Sequence, residues 1–158
     1  MEELIQQLEE LKETEQFIEY QKENPDIILT SCFFLTDTLE KFDWELNFYS
    51  PKKHKHIIFK ETVEEHEVFQ KEEKELEELN LEKVKITFQE AWEKLEKEAK
   101  HHSLSKAIVV LQLLNSQIIW NLTYITNELK FINLKVDAIT GEIISKQESS
   151  LTDLRDKQ

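Results

Sequence analysis

The sequence predicts an α+β fold built from two similar units, each a helix packed on an antiparallel sheet. Three observations predict it. Each half of the 158-residue chain opens with apolar residues at helical spacing, continues with apolar runs that alternate with period two, and repeats the same order of elements. Alternation with period two is typical of antiparallel strands that bury one face. We therefore expect an N-terminal unit over residues 1–72, a charged linker over 73–83 and a C-terminal unit over 84–158, consistent with an internal duplication.

The first unit begins with a segment that predicts one amphipathic helix over residues 2–23. Apolar residues recur there at helical spacing on a strongly charged background. These residues are Leu4, Leu8, Leu11, Phe17 and Ile18. Pro25 disfavours helical geometry at Asn24, so the helix is expected to end there.

Three or four strands are expected after this helix. Residues 27–35 form a short apolar and β-branched run, which favours a buried strand. Apolar and polar residues alternate over 44–49, which predicts a strand with one covered face. A Ser-Pro turn at 50–51 then separates this strand from a third one over 57–63, and a short fourth strand is expected at 68–69.

The second unit follows a segment over residues 71–83 that is dominated by Glu and Lys, which indicates a solvated linker or a short charged helix. Thr87 and Glu90 form a capping-box pattern, in which the Thr oxygen accepts a backbone amide and the Glu reaches back. The helix that this pattern opens has a narrow stripe of small and apolar residues. These are Ala91, Leu95 and Ala99. The strands expected after it cover residues 107–114, 118–124, 129–136 and 143–144.

The clearest sign of a repeat is a pair of strands that each begin with Trp. Trp44-Glu-Leu46-Asn-Phe48 matches Trp120-Asn-Leu122-Thr-Tyr124 at an offset of 120 − 44 = 76 residues. The other matches at this offset are Val63 with Ile139 and Val68 with Ile144. The register between these anchors is poor, so hairpins of different length are expected in the two units.

Three stretches of the second unit, 86–95, 118–122 and 136–143, form a pattern that resembles the PepSY domain family. The last stretch contains the turn Asp137-Ala-Ile-Thr140-Gly141-Glu, and PepSY domains often end in an Asp-Ala-x-Thr-Gly-Glu-Ile turn of this kind. In such a turn Asp137 can accept backbone amides, and Gly141 supplies a positive φ. The resemblance covers about residues 84–146, and the first unit has Glu-Thr-Val-Glu-Glu-His at 61–66 where the second has the Gly turn.

The resemblance implies a helix on a small antiparallel sheet and a function without catalysis. PepSY domains occur in propeptides of secreted metallopeptidases and in regulatory proteins, and they carry no catalytic residues. We therefore expect a protein-binding or regulatory protein that modulates a peptidase, not an enzyme. A protein partner is expected, with the chain as a monomer or a homodimer. Homo-oligomers formed through exposed edge strands are a further alternative.

Composition narrows the possible partners. The net charge of −13 repels phosphate backbones and anionic membrane surfaces, so neither nucleic acid nor membrane is expected as a partner.

The N-terminus lacks the basic and apolar regions of a signal peptide, and no apolar run reaches the length of a membrane span. The cytoplasm is therefore the expected compartment, with a secreted form that has lost its signal as the alternative.

Candidate chemistry is sparse. We expect no catalytic residues, cofactor or metal, because the chain has no Cys pair and no His-Glu-x-x-His, and Cys32 lies in an apolar strand. Trp44, Trp120 and Tyr124 are candidates for an aromatic surface or pocket, although a place in the core is the simplest explanation of the tryptophans. The alternative function is a small-molecule carrier or enzyme with an apolar pocket between a helix and a curved sheet.

Overall fold

The computed structural model describes residues 1–68 and 76–150, which form three α-helices, one short 3-10 helix and eight strands. The helices are α1 (Glu2–Lys12), α2 (Glu15–Glu23) and α3 (Phe88–Glu98), and the 3-10 helix is Leu81–Lys83. The strands are β1 (Ile28–Thr36), β2 (Glu45–Ser50), β3 (Lys55–Phe59), β4 (Val63–Glu67), β5 (Leu104–Leu114), β6 (Gln117–Thr126), β7 (Lys130–Asp137) and β8 (Ile143–Ser150). All eight belong to one antiparallel sheet with the order β4-β3-β2-β1-β5-β6-β7-β8. The predicted α+β class is confirmed.

The two halves of the sheet meet at β1 and β5. These strands pair antiparallel, from Ser31 opposite Gln112 to Thr36 opposite Ala107. On either side of this junction each strand pairs with the next one along the chain. The sheet is therefore formed by two four-stranded meanders that are joined through their first strands.

The core lies on one face of this sheet, where alternate residues of the strands meet the helices. Phe17 of α2 packs on Phe48 with ring centroids 5.5 Å apart, and Phe88 of α3 packs on Trp120 at 6.0 Å. Leu4 of α1 is buried in the same cluster. Most buried strand residues on this face keep the period of two: Cys32, Phe34, Leu46, Phe48, Ile57, Val109, Leu111, Trp120, Leu122, Ile132 and Leu134.

The prediction of a single helix over residues 2–23 is wrong, because the helix is broken at Thr14. The Thr14 side chain accepts a hydrogen bond from the Phe17 amide (3.2 Å) and donates one to the Leu11 carbonyl (2.6 Å), so it ends α1 and caps α2. A Thr side chain competes with the helical backbone bonds in this way. The break lets both Leu4 and Phe17 reach the core.

Several predicted strand limits also differ from the structure. The third strand ends at Phe59, and the chain turns so that Phe59 pairs with Val63 of β4. Val63 therefore begins a strand whereas Ile139, its match at the offset of 76, lies in the turn before β8. The predicted fourth strand at 68–69 extends into residues outside the described range. The last strand continues from Ile143 to Ser150 instead of ending after two residues.

The predicted linker over 73–83 is described from residue 76 onward, and this part contacts the core. Leu79 and Leu81 are buried, and the Leu79 amide donates to the Leu29 carbonyl at 2.8 Å. Asn80 accepts from the Glu82 amide at 3.0 Å, which begins the short 3-10 helix. Two apolar residues within the charged segment thus fix its end against β1.

The turn between β7 and β8 has the bonding that its sequence predicts. Asp137 Oδ1 accepts the amides of Ile139 (2.8 Å) and Thr140 (2.9 Å), and the Gly141 amide donates to the Asp137 carbonyl at 2.9 Å. Thr140 Oγ1 accepts the amide of the residue after Gly141 at 3.2 Å. Gly141 has φ +82°, and a Cβ placed there would lie 3.2 Å from Ile86 Cδ1.

Replacing Gly141 with alanine is expected to lower the free energy of unfolding by about 1–2 kcal/mol, because a side chain resists positive φ. Urea denaturation measures the loss. Gly141→Asn is the matched control, since Asn tolerates this backbone conformation better and its loss should be smaller. Equal stability of Gly141→Ala and the wild type would contradict the assigned role of Gly141.

Candidate functional site

Within the described residues, no helix covers the second face of the sheet. The three helices pack on the face that carries Trp120, so the intervening residues of each strand point away from them. On the four strands β1, β5, β6 and β7, most of these residues are half-buried rather than fully exposed. Leu35 is the most open of them, with 52% of its surface exposed. We define the central open face as Phe33, Leu35, Ile108, Val110, Asn121, Thr123, Ile125, Phe131 and Asn133.

Strand register places these side chains in contiguous rows. Leu35, Ile108, Thr123 and Asn133 lie opposite one another across the four strands. Phe33, Val110 and Asn121 form the adjacent row, and Ile125 pairs with Phe131. None of the nine is charged, although 34% of the chain is charged. An uncharged, mainly apolar patch on such a chain is typical of an interaction surface.

The polar members of the central open face are bonded to each other. The Asn133 side-chain amide donates to Asn121 Oδ1 at 2.7 Å, to Thr123 Oγ1 at 2.9 Å and to the Leu122 carbonyl at 3.2 Å. Covering an unpaired polar group would cost about 1–3 kcal/mol. Because these groups already have partners, another protein can cover them at a smaller cost.

Charged side chains lie at the border of this face. Lys106 is opposite Ile125, Lys135 is opposite Asn121, and Glu45 is opposite Phe33. Asp137, the last residue of β7, lies opposite Ile119 and adds a further charge to this border. An uncharged centre with a charged border is the usual anatomy of a protein interface.

The structure places the three predicted aromatic residues on the helix-covered face. Trp120 is fully buried and its indole N–H donates to the Ile86 carbonyl at 2.9 Å. Tyr124 is buried and donates to the His102 carbonyl at 2.9 Å. Trp44 is partly buried and packs edge-on against Phe34 with centroids 4.7 Å apart. The prediction that Trp120 and Tyr124 form an exposed aromatic surface is therefore wrong, because both belong to the core.

The residues that form the open face were missed because their neighbours carry the larger apolar side chains. Asn121 and Thr123 alternate with Trp120, Leu122 and Tyr124, so the sequence pattern suggests that they face solvent. The pattern of β5 is different, because Ile108 and Val110 alternate with Val109 and Leu111. Apolar residues on both faces of a strand indicate that both faces are covered.

Two clefts flank α1. One, of about 350 Å³, lies between α1 and the segment around Leu79. The other, of about 460 Å³, lies between α1 and the ends of β2 and β3. Apolar and charged residues line the larger cleft, among them Leu11, Trp44, Leu46, Phe59, Glu10, Asp43, Glu45 and Lys60. Of the three predicted aromatic residues, only Trp44 is among the described residues that line it.

Three of the histidines lie on or beside the β3–β4 hairpin. His54 Nδ1 lies 2.8 Å from the Tyr49 hydroxyl, and His56 pairs with His66 across β3 and β4. No three His, Cys, Asp or Glu side chains within residues 1–68 and 76–150 could hold a metal. Burial raises the pKa of the Cys32 thiol to about 12, which disfavours the thiolate that a nucleophile needs.

An ion pair links the β2–β3 turn to β4 beside Tyr20 of α2. Lys53 Nζ lies 2.9 Å from Glu65 Oε1 and 4.9 Å from the centre of the Tyr20 ring. The hydrogen bond from Lys53 lowers the pKa of the Glu65 carboxyl. Both side chains are about one-third exposed, so the pair contributes little to stability.

The helices found among residues 1–68 and 76–150 are too short or too polar to cross a bilayer. The cytoplasmic location stays a prediction.

Comparison with known proteins shows a similarity in fold. A scan of the chain against family models finds no match, and a search of the curated proteins finds none. Among solved structures, the chain is similar to the crystal structure of a putative lipoprotein from Clostridium difficile 630, with a TM-score of 0.55 and 12% identity. The match covers 84% of this chain and 89% of that chain. At this identity the likeness shows that the two proteins share a fold.

Proposed function

We propose that this chain is a non-catalytic binding protein that docks another protein on the central open face. The observation that carries the proposal is an uncharged, mainly apolar set of residues on four adjacent strands of a chain with net charge −13. Four strands about 4.8 Å apart and five residues long give roughly 300–400 Å². This area suits the apolar centre of an interface that buries about 800 Å² on each partner.

The chemistry of the face suggests the chemistry of the partner. The central open face favours a folded protein with an apolar, uncharged patch of similar size. The border of the face has two positive and two negative side chains, Lys106, Lys135, Glu45 and Asp137, so a partner border with charges of both signs complements it. The resemblance to PepSY domains makes a peptidase the first partner class to test, with modulation of its activity as the expected consequence.

An internal duplication fits this architecture and is part of the proposal. Cys32 opposite Leu46 in the first half corresponds to Val109 opposite Leu122 in the second. Phe48 opposite Ile57 corresponds in the same way to Tyr124 opposite Ile132. The two Trp residues at the matching places contact each other, with ring centroids 6.0 Å apart. Equivalent residues that meet near the centre of the sheet are expected when two repeats pack about a two-fold axis.

Replacing Leu35 with aspartate is expected to abolish binding of the partner, because a charge would be buried at the centre of the interface. Leu35 is already 52% exposed, so the fold should tolerate the change. The matched control is Ile18→Asp, which places the same charge at an exposed Ile (41%) on α2. Capture from a lysate of the native organism, with quantitative mass spectrometry, compares the three forms.

Support requires a protein that the wild type and Ile18→Asp both retain and Leu35→Asp loses. A peptidase among such proteins would also support the regulatory part of the proposal, which its activity with and without the chain then tests. If Leu35→Asp retains every protein that the wild type retains, docking on the central open face is wrong.

The second candidate function is binding of a small molecule. The cleft of about 460 Å³ beside α1 favours it, because its size is typical of ligand sites and its walls combine apolar and charged groups. Lys60 of this cleft pairs with Glu45 at 3.6 Å. Among the described residues of its walls, Glu10 and Asp43 are the other charged groups, so an amphipathic cation would suit them together with Trp44. A capture experiment without any Leu35-dependent partner directs attention to this cleft.

A further inference from the structure

The two edges of the sheet differ in their capacity to pair with another strand. An edge strand has unpaired backbone groups that can bind a strand from another chain, and natural proteins protect such edges with charge or short length. Edge strand β4 has five residues, Val63–Glu67, of which three are Glu. Two copies of β4 would bring like charges together. Edge strand β4 is therefore protected against self-pairing.

Edge strand β8 lacks this protection. It has eight residues, Ile143–Ser150, and only two of them, Lys146 and Glu148, are charged. It contains neither Pro nor Gly, and no strand within the described ranges pairs with its outer side. Residues 143–149 of β8 alone exceed the usual strand length of about 5–6 residues, so they offer a long row of backbone donors and acceptors.

The charges of β8 are complementary to themselves in one register. If Gln147 lies opposite Gln147 of a second copy, Lys146 lies opposite Glu148 of that copy, and Glu148 lies opposite its Lys146. The helices of both copies also lie on one face of the sheet when the centre of pairing moves to residue 146 or to residue 148. In these registers Lys146 lies opposite Lys146, or Glu148 lies opposite Glu148. Unlike charges directly across two strands stabilise the pair, and like charges destabilise it.

We infer that β8 pairs antiparallel with β8 of a second copy around Gln147, which extends the sheet through both molecules. Within one copy Lys146 Nζ contacts Glu98 Oε2 at 2.7 Å and Glu148 Oε1 at 3.4 Å. In the dimer Lys146 keeps Glu98 on α3 and gains the Glu148 of the other copy. Directly opposed residues lie about 4.5–5.5 Å apart at Cβ, closer than residues two apart on one strand.

The helices leave room for this arrangement. Helix α3 packs over β6 and β7, as shown by the contact between Phe88 and Trp120 and by the hydrogen bond between the Trp120 indole and the Ile86 carbonyl. In the dimer the two β7 strands are three strand spacings apart, about 14 Å. This distance exceeds the diameter of a helix with its side chains, about 10–12 Å. The two α3 helices therefore lie on either side of the paired edges without overlap.

A cysteine at position 147 tests the register directly. Under mild oxidation, Gln147→Cys is expected to form a disulfide-linked dimer, because the two equivalent residues face each other. Ser145→Cys is the matched control, since in this register the two copies of residue 145 are four residues apart, about 14 Å. The native thiol, Cys32, is fully buried and should not contribute. Equal cross-linking of both variants, or none in either, would overturn the register.

Charge exchange tests the proposal without a new thiol. Sedimentation velocity over a concentration series is expected to show dimers for the wild type. Lys146→Glu and Glu148→Lys should each weaken association at least about tenfold, and the double variant should recover most of it. Far-UV circular dichroism confirms that each variant is folded. A wild type that stays monomeric up to about 1 mM, or a double variant no better than the single ones, would refute pairing through β8. Neither result bears on Leu35 and the central open face.

Discussion

Replacing Trp120 with alanine is expected to lower the free energy of unfolding by about 3–5 kcal/mol, the usual cost of removing a large aromatic side chain from a core. Trp120 has no exposed surface. Its ring packs on both Trp44 and Phe88, each with a centroid 6.0 Å away, and these two rings also contact each other. Its N–H donates to the carbonyl of Ile86, which holds the segment before α3 against β6. The variant loses apolar burial, leaves a cavity and removes a hydrogen bond.

Two further variants separate these contributions. Trp120→Phe keeps much of the ring and leaves the Ile86 carbonyl without its donor, so a loss of about 1–3 kcal/mol is expected. Trp44→Ala removes the matching residue of the first half, which is only partly buried, so its loss should be clearly smaller than that of Trp120→Ala. Chemical denaturation monitored by far-UV circular dichroism measures all three. A Trp44→Ala loss equal to that of Trp120→Ala would contradict the difference in burial.

The parts of the fold that could be predicted from the sequence are those that a few neighbouring residues determine. The capping box is confirmed with both of its bonds, from the Glu90 amide to Thr87 Oγ1 (3.1 Å) and from the Thr87 amide to Glu90 Oε2 (2.8 Å). The Asp137 turn is likewise stabilised within six residues. In both places side-chain geometry, turn chemistry and hydrophobic pattern favour the same structure.

The missed features depend on competition or on distant contacts. Thr14 is compatible with a helix, and its capping bond to Phe17 decides the break only because Leu4 and Phe17 gain burial on the same core. The pairing of β1 with β5 joins segments about 75 residues apart, and period-two alternation does not specify which strands become neighbours. For this reason the sequence predicted two similar units but not the single sheet that they share.

The central open face was missed for the same reason, because it depends on which strands become neighbours. Polar residues such as Asn121 and Thr123 indicate a wet face, and that interpretation is right in the sense that no helix within the described residues covers them. Only the register shows that Ile108, Val110 and Phe131 lie beside them and turn the face into a contiguous patch. A patch of this type is a property of four strands together, which no single strand reveals.

Cys32 is expected to react with a thiol reagent at least about 1000-fold more slowly in the native protein than in the unfolded chain. A thiol pKa of about 12 leaves roughly 10⁻⁴ of the group as thiolate at pH 8, against about a quarter for an ordinary thiol. Cys32 is also fully buried, so a reagent cannot approach it without an opening of the structure. Absorbance or mass spectrometry follows the labelling. An exposed thiol, Asp37→Cys in a Cys32→Ala background, provides the unprotected control.

The position of Cys32 makes this rate informative about the whole sheet. Cys32 lies opposite Leu46 on β2 and opposite Leu111 on β5, so its exposure requires separation of the strands at the junction of the two halves. If the halves unfold together, the opening free energy from labelling equals the global value from denaturation. A lower value would mean that the first half opens while the second stays folded. Labelling as fast as that of the Asp37→Cys control would contradict the buried position of Cys32 itself.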